Sequence, residues 1–116
     1  MAVHEFGIVQ RLMDTVRRKA EESGVERVKR IRVVLGKLAE VSAESLNFAY
    51  TSLAPHDKMF SEAELDIDER DAAVRCKACG AETAIAEPVA TCPRCGGGPL
   101  EVTRGRELFV DFFEGE

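Results

Sequence analysis

"CKACGAETAIAEPVATCPRCG", residues 76–96, carries all four cysteines of a 116-residue chain, as C-x2-C, twelve intervening residues and C-x2-C again. Two residues between cysteines let both sulfurs of a tight turn point at one ion. Backbone N–H groups of the turn can bond the thiolates, and the glycine after each pair (Gly80, Gly96) permits close backbone approach. Two such turns complete a four-sulfur shell with no position open to water. A site on Cys76, Cys79, Cys92 and Cys95 is therefore expected to be structural, with zinc as its ion. Iron on four thiolates is the alternative. Two stable disulfides do not suit a chain with no secretory signature, and a thioredoxin-like redox pair would leave the second pair unexplained.

The metal also answers a problem of size. Residues 72–104 hold few large apolar side chains: Val74, Ile85, Val89, Leu100 and Val102. Ordering a residue costs roughly 1–2 kcal/mol, whereas a structural zinc site supplies about 10–16 kcal/mol at neutral pH. The ion substitutes for a core. Residues 72–104 thus read as a zinc ribbon, and residues 1–71 with 105–116 as a second domain into which it is inserted.

That second domain has legible elements. Over residues 4–23, Phe6, Val9, Leu12 or Met13, Val16 and Ala20 recur at helical spacing, and Gly24 stands where a left-handed cap would end the helix. "RVKRIRVVLG" (27–36) alternates, with Ile31, Val33 and Leu35 on one face and Arg30 and Arg32 on the other. A second helix is predicted after Ser42, its N-cap, with Val41 and Leu46 as a hydrophobic staple and Pro55 ending the segment. "AELDIDE" (63–69) alternates again, and so does "RELFVDFF" (106–113), with Leu108, Val110 and Phe112 inward. The fold class expected is α+β: a small two-layer α/β domain, a three-stranded sheet with two helices on one face, carrying the inserted ribbon.

A formal charge of −5 and scattered basic residues argue against a nucleic-acid binder, which needs a basic face. "RRK" (17–19), Arg27, Lys29, Arg30 and Arg32 read as a solvated face, with a basic docking strip for an acidic protein as the alternative. No apolar run approaches the roughly 20 residues that span a bilayer, and the N-terminus lacks a basic region followed by an apolar one. No membrane association and a cytoplasmic location are expected. No nucleophile–base pair is visible, the cysteines are committed, and His56 lacks an evident partner, so no enzyme is expected.

The remaining histidine, His4, sits beside Glu5 at the start of the first helix, close enough to a terminal amine for three groups to converge on one cation. Here the chain resembles the HypA family of hydrogenase-maturation nickel chaperones. The resemblance lies in "HEFGIVQRLMDTV", "RIRVVLGKLAEV", "AESLNFAYTSLAP", "AELDIDE", the ribbon "CKACG…CPRCGGG" and "GRELFVDFF", in that order. It implies nickel on His4 and Glu5, zinc on the four cysteines, and no catalysis. It also implies work with a HypB-type GTPase toward the large subunit of nickel–iron hydrogenase, and in some organisms with urease maturation proteins. The family typically begins Met-His-Glu, whereas Ala2 and Val3 intervene here. A small residue at position 2 favours removal of Met1. The amine of Ala2, two backbone amides and the His4 imidazole would then enclose a square-planar ion, a geometry Ni(II) and Cu(II) favour. Without the resemblance, the residues support only a small α/β protein with a zinc ribbon; the alternative function is a zinc-ribbon adaptor that binds protein or nucleic acid and carries no metal cargo.

Overall fold

The computed structural model describes residues 3–116. Its elements are α1 (Val3–Glu22), β1 (Val28–Gly36), α2 (Ala43–Leu53), a 3-10 turn (Ala54–His56), β2 (Glu64–Arg70), β3 (Ala72–Cys76), β4 (Glu82–Ile85), β5 (Leu100–Arg104) and β6 (Leu108–Gly115). They form two three-stranded sheets, β2-β1-β6 and β4-β3-β5. The expected α+β class holds, and the last strand does belong to the first sheet. The chain divides into two compact units: one runs up to Val34 and includes Val41–Asp68 and Phe109–Glu116, the other is Leu35–Glu40 with Glu69–Leu108.

In the first unit, α1 ends as its sequence requires. Gly24 takes φ +74, its N–H donates to the Glu21 carbonyl, and the Val25 N–H donates to the Ala20 carbonyl at 2.8 Å. This Schellman turn satisfies carbonyls that the helix leaves over and turns the chain into β1. Ser42 caps α2 by accepting a hydrogen bond from the Ser45 N–H at 3.1 Å, and the staple residues Val41 and Leu46 are both buried. Ile8, Val9, Met13, Val16 and Ala20 of α1 pack inward; Met13, rather than Leu12, takes the deeper of the two adjacent positions. With Leu46 and Tyr50 of α2 they cover Ile31 and Val33 of β1 and Leu65 of β2.

Strand directions follow from the bonds. Arg27 and Glu116 exchange two backbone hydrogen bonds of 2.8 Å, the mark of an antiparallel pair between β1 and β6. Ion pairs Arg27–Glu62, Arg30–Asp66 and Arg32–Asp68 advance together along both chains, so β1 and β2 run parallel, joined through α2.

One expectation changes, and one alternative falls away. Along β6, Leu108 and Val110 are half-buried and Phe109 and Asp111 exposed, but Phe112 is exposed too (39%) and Phe113 takes the inward place. Two successive outward residues have the form of a β-bulge, which a period-2 reading of the sequence cannot show. The alternative that falls away is the free basic docking strip on β1. Arg30 bonds Asp66 and Glu114, and Arg32 meets Asp66, Asp68 and Asp111.

Beyond α2, the Asp57 carboxylate receives the Arg17 guanidinium and the Met59 N–H (2.9 Å), while Arg17 lies 5.3 Å from the centre of the buried Phe60 ring. The Arg17 bond holds the Asp57 carboxyl below its ordinary value, against the opposing effect of burial. A carboxylate with a depressed folded pKa stabilises the fold above its unfolded pKa, and that contribution is lost as pH falls through the folded value. Asp57→Asn should therefore lose about 1 kcal/mol of stability at pH 7. Urea melts should show the gap between variant and wild type closing as the solution is acidified below about pH 3.9.

The second unit turns on a glycine. Gly105 has φ +115, and a Cβ there would lie 2.4 Å from the Ala72 Cβ; its carbonyl accepts the Leu38 N–H at 2.7 Å. Both the backbone conformation and the contact exclude a side chain. Gly105→Ala should cost about 2–4 kcal/mol, read as a lower melting temperature.

Candidate metal centre

The four cysteines are delivered by two similar turns. β3 ends on Cys76, the Gly80 N–H returns to the Cys76 carbonyl at 2.8 Å, and Gly80 has φ +76. The second turn repeats this, with the Gly96 N–H on the Cys92 carbonyl at 2.8 Å and φ +76. A Cβ on either glycine would meet nothing within 4 Å. The left-handed backbone therefore requires glycine here; the close approach expected from the sequence does not.

In each turn the first cysteine is buried and the second exposed. All four Sγ atoms lie within 4.8 Å of one another, with Cys76–Cys95 at 3.6 Å and Cys79–Cys92 at 3.8 Å. A tetrahedron with zinc–sulfur bonds of about 2.3 Å has edges of about 3.8 Å, so the donor set fits a tetrahedral ion. The N–H groups of Arg94 and Cys95 donate to the Cys92 sulfur, and that of Gly97 to the Cys95 sulfur, each at 3.4 Å.

These donors act unequally on the two thiols. The Cys95 and Arg94 N–H groups bring Cys92 down to about 6. At Cys95 the Gly97 N–H also favours the thiolate, but the sulfurs of Cys76, Cys92 and Cys79 outweigh it and push the thiol up to about 12. Four sulfurs this close do not all ionise alone; a dication at their centre removes the conflict.

The apolar support is slight. β3 pairs antiparallel with β4 (Ala72 opposite Ile85) and with β5 (Val74 opposite Val102), with an irregularity at Ala73–Val74. Ala72, Val74 and Ile85 form the buried cluster, and Leu38, Leu100 and Val102 pack against it. Leu38 was not assigned to this core from the sequence, because it lies more than thirty residues upstream of β3.

His4 and Glu5 stand in the first turn of α1, His4 exposed and Glu5 half-buried. The Glu5 Oε2 atom is buried and has no hydrogen-bond partner among the described residues. Among the described residues no third histidine, cysteine or acid joins them in a ligand group. Ala2, the expected amine donor, lies outside the described residues. His56 is exposed at the end of the 3-10 turn and Asp57 is committed to Arg17, so neither completes a site. Phe48 is half exposed on α2 and its ring meets Phe6 edge-on at 6.3 Å, a pairing that no local sequence pattern marks.

Fold and site define a small α+β protein with a four-cysteine metal centre. The family model described as hydrogenase/urease nickel incorporation, metallochaperone, HypA, matches residues 3–115. The hydrogenase maturation factor HypA of Moorella thermoacetica is 33% identical over 98% of this chain and 100% of its own length. That of Chlorobaculum parvum is 38% identical over 93% and 95%. The solution structure of the nickel metallochaperone HypA from Helicobacter pylori matches with a TM-score of 0.67 at 19% identity, covering 96% of each chain. A second HypA solution structure gives 0.70 at 20% identity, over 100% of this chain and 98% of that one. The chain belongs to the HypA family of hydrogenase/urease nickel-incorporation metallochaperones.

Cys92→Ser should abolish tight metal retention and the ordered ribbon. Amide spectra should then lose the dispersion of β3, β4 and β5 while residues of α1 and α2 keep theirs; metal analysis checks the first outcome.

Proposed function

We propose that the chain is a non-enzymatic carrier of Ni(II) that takes the ion at its N-terminal end and releases it for nickel–iron hydrogenase maturation. The observation that carries this reading is the family match over residues 3–115, with His4 and Glu5 at its start. The buried Glu5 oxygen, unpartnered among the described residues, supports it, since such an atom gains most from a cation. His4 supplies an imidazole, Glu5 a carboxylate and, where Met1 is removed, Ala2 an amine. Zinc on Cys76, Cys79, Cys92 and Cys95 holds the ribbon of residues 72–104 inserted in the α/β domain of residues 1–71 and 105–116. The zinc is structural and the nickel is cargo. The partners are a HypB-type GTPase, the hydrogenase large subunit and, in some cells, urease maturation proteins, all in the cytoplasm.

Nickel titration of wild type against His4→Ala, followed by intact-mass spectrometry, tests the reading. Wild type should take up one further ion per zinc-loaded chain, and His4→Ala should bind it more than about 100-fold more weakly. A diamagnetic, yellow complex on a chain lacking Met1 identifies the amine–amide–imidazole chelate. Equal affinity in the two proteins would instead favour a zinc-ribbon adaptor without metal cargo.

A further inference from the structure

The face of the β2-β1-β6 sheet turned away from α1 and α2 carries its charges in stripes. Arg30 and Arg32 on β1 run between Asp66 and Asp68 on β2 and Asp111 and Glu114 on β6. Glu64 shares their face of β2, two residues before Asp66 and opposite in direction to Leu65, which lines the helix side. Arg30 and Arg32 are already spent on four of these five carboxylates. The alternation that places Glu64 on this face adds one further guanidinium, Arg70, at the far end of β2, so five carboxylates face three guanidiniums. The surplus charge is negative.

The same face exposes aromatic rings. Phe109 is 48% and Phe112 39% exposed, two of the four exposed large apolar residues among those described. Phe109 alternates with Leu108 and Val110, which turn inward, and Phe112 is placed on this face by Arg30, whose guanidinium lies 5.5 Å from its ring centre. A carboxylate and the face of a phenyl ring attract the same thing, a lysine or arginine side chain with an apolar stem. The Arg30–Phe112 contact is an instance within the molecule.

We propose that this open sheet face docks a basic, partly apolar segment of a partner protein, its cations meeting the surplus carboxylates and its apolar side chains the Phe109 ring. The inference is independent of where nickel binds. A second copy of this chain does not suit the face, because the same negative surplus would oppose itself; nucleic acid is excluded by its charge.

The test uses the full, zinc-loaded protein and a synthetic peptide of alternating lysine and leucine, with its glutamate–leucine counterpart as control. Binding is read by fluorescence anisotropy at low and high salt and by amide shift mapping. The lysine peptide should bind, weaken with salt, and shift amides of β1, β2 and β6. Phe109→Ala and the double variant Glu64→Gln/Glu114→Gln should each weaken it about fivefold or more. Glu21→Gln on α1 should leave it unchanged. All variants must keep the wild-type amide dispersion, and Glu64→Gln/Glu114→Gln, confined to exposed side chains, keeps the test open if Phe109→Ala does not. The proposal is overturned by shifts that map elsewhere, by affinity indifferent to these variants, or by equal binding of the glutamate peptide. A concentration-dependent dimer lost in Phe109→Ala would overturn it as well.

Discussion

Strand β1 is hydrogen-bonded on both sides, to β2 and to β6, and each of its faces makes a demand. Ile31 and Val33 must leave water, which α1 and α2 accomplish. Arg30 and Arg32, on the other face, keep only 41% and 32% of their exposure and need acceptors for the hydration they lose. The flanking strands provide them, Asp66 and Asp68 from one side and Asp111 and Glu114 from the other. The neighbours of β1 are thus selected twice, by an apolar pattern on one face and by charge on the other.

The second unit cannot rely on burial in this way. Its buried apolar cluster is Ala72, Val74 and Ile85, whereas the first unit buries Phe60, Leu46 and a row of valines. In place of a larger core the second unit has four cysteine sulfurs, gathered by two turns to within 4.8 Å of one another as a donor set that could hold a metal ion. It thus joins a small apolar cluster to a four-sulfur donor set, whereas the first unit relies on packing.

Much of this was legible in the residue order. Helix ends were, because Gly24 and Ser42 act on backbone groups a few residues away. The cysteine site was, because a C-x2-C turn is a local object. The outward place of Phe112 is not legible, because the alternation breaks at Asp111–Phe112 and such a break depends on what the neighbouring strand presents. The contribution of Leu38 to the ribbon cluster was hidden for a similar reason: the contact joins segments remote in the chain. The glycines after the cysteine pairs are legible in place but not in cause, since a left-handed φ, rather than close approach, requires them.

By itself, then, the sequence did not determine β3, β4 and β5, but it did determine the two helices, strands β1, β2 and β6, the caps at Gly24 and Ser42, the two cysteine turns and the family to which the chain belongs. Each rests on spacing within a few residues or on the order of such pieces along the chain. Only the tertiary structure decided that the arginines of β1 are neutralised and outnumbered, that Phe109 and Phe112 remain exposed beside them, and that one oxygen of Glu5 is buried with no hydrogen-bond partner among the described residues. Those facts depend on which strands lie side by side. Residues some 35 positions apart meet only once hydrogen bonding and burial have chosen the pairing.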